Sequence, residues 1–244
     1  MGAHPVEPPG TDGSHGVNLF IEAVAWILDS THWEGEAGIG WRILEHLGIT
    51  FLVVTLAAVV ALPLGILIGH TRRGRGLVVG LAGAVRAVPT LGLLTLLGLA
   101  IGIGLLAPVI ALIALALPSL LAGAYAGVEA VDRATVDSAR AIGMSETQIV
   151  TRVELPLAAP VLVGGLRSAT LQVVSTTTLA AYVADAGLGR YLYAGLKARD
   201  YPEMLAGALL VGALALLLDL ALATVQRWVT RRARPGAPTL KGIA

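Results

Sequence analysis

The feature that most constrains this chain is its runs of uncharged residues. From Leu47 to Gly69 there are 23 residues without a charge, and from Ala87 to Val128 none is charged either. A helix needs roughly 20 apolar residues to cross the hydrocarbon of a bilayer. Within that layer a segment must satisfy its own backbone hydrogen bonds, which a helix does. The first run is one span, with Pro63 inside it. The second run is about two spans long, and Gly98, Gly102, Gly104 and Pro108 offer the break. Composition agrees: 56% of residues are hydrophobic and 14% charged, with mean hydropathy +0.80. A soluble domain is roughly 45–50% apolar.

The expected fold class is an all-α membrane protein with five transmembrane helices, at about 47–69, 77–101, 106–127, 160–183 and 204–226. Residues 1–16, rich in Pro, Gly and His, read as a disordered tail. They lack the basic and apolar regions of a signal peptide, so the first span is expected to act as an uncleaved insertion signal. Residues 17–46 form an extracytoplasmic or interfacial segment. Within it, Val17 to Trp33 is apolar but interrupted by Glu22 and Asp29, which suits an amphipathic helix on the membrane surface. Arginines flank the cytoplasmic ends of spans. Arg72, Arg73 and Arg75 follow span one, and residues 227–244 form a basic tail with Arg227, Arg231, Arg232, Arg234 and Lys241. The segment before span one is acidic, with Glu7, Asp12, Glu22, Asp29, Glu34, Glu36 and Glu45 against Arg42 alone. Five spans then place the N-terminus outside and the C-terminus in the cytoplasm, and residues 129–156 form a cytoplasmic loop.

That loop carries the most specific pattern. Val131, Ala134, Thr135, Ser138 and Ile142 have helical spacing, and Gly143 follows as a C-terminal stop. Ser145 with Gln148 three residues on reads as a capping box opening a second helix. Pro156 is expected to close that helix before the chain re-enters the membrane.

The stretch Asp137-Ser138-Ala139, three residues, Gly143, nine residues, Val153-Glu154-Leu155-Pro156 resembles the "EAA" loop of ABC importer permeases. Asp replaces Glu, Ser replaces Ala and Val replaces Ile, while the spacing holds throughout. The resemblance implies a type I ABC importer permease fold, a multi-pass protein of the bacterial cytoplasmic (inner) membrane. It implies a coupling helix seated on an ATPase subunit, made by Asp137, Ser138, Ala139, Gly143, Met144, Ser145, Gln148, Leu155 and Pro156. No G-x-x-x-x-G-K-[ST] occurs in the chain, so ATP and Mg are expected on a separate ATPase chain. The expectation is a transport subunit and not an enzyme, with no cofactor of its own. Its implied partners are an ABC ATPase dimer, a second permease subunit (identical or paralogous), an extracytoplasmic substrate-binding protein and the lipid membrane. No nucleic acid is implied.

Three stretches, His46–Thr50, Arg86–Leu91 and Thr178–Tyr191, look like the osmoprotectant branch that carries glycine betaine, choline or carnitine. A quaternary ammonium is usually boxed by aromatic faces. The spans hold only Phe51, Tyr125 and Tyr182, so the solute class rests on the resemblance. Permeases for methionine, a sulfonate or a phosphonate share the loop and stand as the alternative. A secondary transporter is disfavoured by the lack of internal inverted repeats, and a membrane enzyme by the lack of clustered acid, base or metal ligands.

Within the spans, Arg86, Arg167 and Asp219 are the charged residues. Membrane-embedded charges are usually paired, so Asp219 is expected to meet Arg167 or Arg86, the alternative being separate snorkelling. Gln172, Ser175, Thr176, Thr177 and Tyr182 are candidates for the translocation path. Against this, serine and threonine hydroxyls also bond back to their own helix. Gly98 and Gly102 invite a close helix-packing reading. Asp185, Gly187 and Gly189 either dock the binding protein or simply turn the chain. The five histidines lack metal-ligand spacing, and no cysteine is present, so no metal site is expected.

Overall fold

The computed structural model describes residues 13–233, apart from the side chains of residues 13–15, 77, 81 and 86. Most of the N-terminal tail and the end of the basic tail lie outside the described residues, as does the side chain of Arg86. No strand occurs among the described residues.

Helix α1 (Gly13–Leu28) begins inside the segment expected to be disordered. It packs along the last helix of the chain, so tertiary burial supports it where the local sequence signal is weak. A short 3-10 turn (Ser30–Trp33) leads to α2 (Ile39–Thr71). This helix starts earlier than the expected span, because nothing between Ile39 and Leu47 stops it. Residues 39–46 are thus continuous with the helix that carries the first span.

The second expected span, 77–101, is not one helix. Helices α3 (Arg75–Ala87) and α4 (Thr90–Ile101) flank a break at Val88–Pro89 and meet at an angle of 80°. Proline lacks an N–H and drives the residue before it out of the helical region. Val88 accordingly sits at φ −75°, ψ 124°. Helix α5 (Leu106–Glu129) follows, then α6 (Arg133–Ala141) and α7 (Glu146–Ile149). A π turn over Val150–Glu154 joins α7 to α8 (Leu155–Thr177). After a 3-10 turn come α9 (Ala181–Ala184), α10 (Gly189–Ala198) and α11 (Tyr201–Ala233). By length and composition α2, α5, the Glu146–Ala184 run and α11 can each cross a bilayer, and the bent α3–α4 pair makes a fifth span.

Small residues set the packing, as expected where lipid removes the hydrophobic drive between helices. A Cβ added to Gly65 would lie 2.4 Å from the Ala124 Cβ, and one on Gly69 2.7 Å from the Val128 Cβ. Helices α2 and α5 therefore run parallel in close contact. Gly123 of α5 and Gly165 of α8 meet backbone to backbone, since a Cβ on Gly123 would sit 2.7 Å from the Gly165 Cα. The pair singled out from sequence behaves differently. Gly98 approaches only the Val183 side chain, and Gly102 caps α4 at φ +102°. The central core combines Val53, Ala57, Leu112, Ala116, Leu120, Ala169 and Val173.

The contacts fix two ends of the bundle. The C-termini of α2 and α5 gather with α6 and α7, while the start of α2 and the end of α8 gather with α10.

Candidate functional site

At the α6 end, residues 130–156 form a compact helix–turn–helix. Asp132 caps α6 by accepting from the Ala134 N–H. The helix stops by backbone geometry: Gly143 sits at φ +87°, where only glycine rests without strain. The Gly143 N–H donates to Arg140 O at 2.9 Å and the Met144 N–H to Ala139 O at 3.1 Å. These two bonds make a Schellman stop. The expected capping box follows. Ser145 Oγ accepts from the Gln148 N–H at 3.4 Å, and Gln148 Oε1 accepts from the Ser145 N–H at 2.9 Å. Arg140 grips Glu146 through two N–H groups, at 2.6 and 2.9 Å, and Asp137 at 3.0 Å. The guanidinium holds the Glu146 carboxyl below its usual range.

The loop buries one face against the bundle. Val136, Ala139 and Ile149 pack with Val128, Val131 and Ala158, with Met144 and Val153 at the edge. Ala134, Thr135 and Ser138 are exposed, and Ile142 is 80% exposed. The spacing 134, 135, 138, 142 is real, but it marks the face turned away from the bundle. The Ser138 hydroxyl bonds back to Ala134 O. Residues Ala141–Gly143 and Ser145–Gln148 together form the protruding tip.

Pro156 does not close a helix. The π turn moves the Leu155 N–H onto Val150 O, and Pro156, which has no N–H to donate, follows directly after it. The chain runs as one continuous helix from Glu146 into the bundle.

Two residues at this end escaped sequence reading, because their partners lie far away in the chain. His70, near the end of α2, has Nδ1 2.7 Å from Glu154 Oε2 and Nε2 3.1 Å from Glu146 Oε2. Glu154 is 4% exposed.

Inside the bundle, Arg167 and Asp219 pair through two parallel bonds of 2.6 and 2.8 Å. Gln226 extends the set, accepting from Arg167 Nη1 at 3.3 Å and donating to Pro160 O at 3.2 Å. The candidate path residues divide. The Gln172 side-chain oxygen accepts from Ser119. The Thr176 and Thr177 hydroxyls bond back to Gln172 O and Val173 O. Thr177 is wholly buried. Ser175 and Tyr182 are exposed. A cleft of ≈ 810 Å³ between α2, α8 and α11 is almost entirely apolar, and none of these residues lines it.

At the α10 end, the glycine-rich turn is a clasp. Gly187 and Gly189 are buried, with a Cβ on Gly189 blocked by Thr178 O, while Asp185 is exposed. Arg42 bonds Glu45 at 2.8 Å and Asp185 O at 2.7 Å. Glu45 accepts from the Gly187 N–H at 3.1 Å. His46 Nδ1 accepts from the Leu188 N–H at 3.3 Å, so its Nε2–H donates to Val174 O at 2.9 Å. No group of three or more metal-ligating side chains occurs among the described residues.

Comparison with known proteins places this geometry. The family described as "Binding-protein-dependent transport system inner membrane component" matches residues 61–235. The choline transport system permease protein OpuBB of Bacillus subtilis (strain 168) is 32% identical over 190 residues, covering 78% of this chain and 88% of that protein. The glycine betaine/carnitine/choline transport system permease protein OpuCB of the same organism is 32% identical over 192 residues, covering 79% and 88%. Among solved structures, a chain of the MetNI methionine ABC transporter in an inward-facing conformation superimposes with TM-score 0.68 at 25% identity, covering 79% of this chain and 96% of that one.

Proposed function

From the premise that the chain belongs to the binding-protein-dependent transport system inner membrane component family, we propose that it forms the path of an ATP-driven importer for a quaternary-amine osmoprotectant: glycine betaine, choline or carnitine. The observation that carries this reading is the likeness to permeases named for these solutes, at 32% identity over more than three quarters of the chain.

In this reading the α6–α7 tip is the coupling element. Ala141–Gly143 and Ser145–Gln148 seat on the ATPase subunit, and the exposed Ile142 supplies an apolar anchor. ATP and Mg stay on that subunit, and closure of the ATPase dimer moves the tip as a rigid piece. The α6 end is cytoplasmic and the α10 end faces the external binding protein. Two permease subunits, identical or paralogous, enclose the path. Ser175 and Tyr182, seven residues apart, present a polar face from the α8–α9 run, with Gln172 and Thr176 behind it. Selectivity resides mainly in the binding protein, because the spans offer few aromatic faces.

The test is reconstitution with the ATPase and binding protein, reading ATP hydrolysis on addition of glycine betaine or choline. Stimulation that disappears in Gly143→Asp supports both the solute class and the coupling tip. Stimulation by methionine alone would select the second reading, which the MetNI likeness favours.

A further inference from the structure

The end of span one is tied to the second arm of the loop by an imidazole. Glu146 opens α7 and Glu154 ends the π turn, so the two carboxylates bracket the second arm of the loop. His70 reaches both, at 3.1 and 2.7 Å. A buried carboxylate needs a partner, and for Glu154 that partner is His70. Glu146 is shared with Arg140, which also holds Asp137, so α6 joins the same network. Two residues beyond His70, Arg72 donates to Val131 O at 3.2 Å and ties the start of the loop as well. The pocket beside this network is lined by His70, Arg72, Arg133, Asp137, Arg140 and Glu154.

We propose that His70 is a positioning residue of energy coupling: it locks the loop to span one, so that α2 moves with the tip when the ATPase closes. This rests on the reading of the tip as the coupling element. Without the bridge, the second arm of the loop keeps its covalent path into α8 but loses its direct side-chain link to α2, which is then reached only from the start of the loop, through α5 and Arg72.

The test uses the reconstituted complex with its ATPase and binding protein and reads solute moved per ATP hydrolysed. A merely structural role lowers the amount of active complex, which changes both rates together and leaves the ratio unmoved. His70→Gln is expected to cut the ratio at least about fivefold, the low end of coupling between sites. Glu146→Gln, on the exposed rim of the bridge, is expected to lower the ratio in the same direction and serves should His70→Gln not assemble. The double variant is expected to be no worse than His70→Gln alone, as for residues acting in one network. A ratio within about twofold of the parent in His70→Gln or Glu146→Gln, with Gly143→Asp still uncoupled, would overturn the bridge while leaving the coupling tip in place. If Gly143→Asp is itself fully coupled, the tip reading falls and the bridge falls with it.

Discussion

The two ends of α2 are both fastened by a histidine, and the two fastenings differ in kind. At the α10 end, His46 is wholly buried and bonds only to backbone groups, Val174 O and the Leu188 N–H. Its ring is neutral, and its partners cannot change charge. At the α6 end, His70 meets two carboxylates, one buried and one on the rim. Backbone partners make a static clasp. Carboxylate partners on an exposed loop make a charged joint. The α10 end carries charge too, in the Arg42–Glu45 pair, so the ends differ in what their histidines meet.

The largest expected effect breaks the static clasp. In Gly189→Ala the new Cβ would meet Thr178 O at 2.0 Å. Backbone cannot yield as a flexible side chain does, so the cost is at least about 3 kcal/mol, the upper part of the overpacking range. A large fall in the melting temperature of the detergent-solubilised subunit checks it, and an unchanged one would show that the turn is looser than described. A smaller loss is expected for His46→Ala, about 2 kcal/mol, because it leaves a buried N–H and a buried carbonyl unpaired. The comparison demands that the protein which survives keeps its solute-to-ATP ratio. A changed ratio would make the outer fastening part of the coupling as well. The smallest effect concerns Glu146, whose carboxyl is held below its usual range chiefly by Arg140. A depressed folded-state value contributes stability above the ordinary carboxylate range, and that contribution is lost as pH falls through the depressed value. Acidification through and below about pH 4 should loosen the α6–α7 tip before the bundle. Hydrogen exchange at Glu146–Ile149 against Val173–Val174 would read this, and uniform loosening would count against it.

Much of this was legible in the sequence, for local reasons. Uncharged runs mark the spans because the bilayer demands them. Gly143 and the Ser145–Gln148 box mark the tip because stops and caps are written within four residues. The Arg167–Asp219 pair followed from the scarcity of charges in the spans. What escaped depends on distant partners. His46 meets residues 128 and 142 positions away, and His70 meets Glu154 84 positions away. No spacing rule reports such pairs. The spacing at 134, 135, 138 and 142 shows that α6 is a helix but not which face it buries, because alanines and hydroxyls are compatible with either. Val88–Pro89 carried a signal that was passed over: a proline inside an apolar run, preceded by a β-branched residue.

The π turn has a consequence for orientation. Each residue advances an α-helix by about 100°, so five residues wound as a π turn set the helix beyond them out of phase with the helix before. The tip and the membrane segment share one axis but not one angular frame. A one-residue deletion in Val150–Glu154 would let an unbroken α-helix cover nearly the same rotation and keep Arg167 facing Asp219, whereas rewinding the turn as α-helix with all five residues kept would swing Arg167 by about 100°. The angular register between the part that receives force and the part that binds its neighbours is thus held in a single turn of backbone.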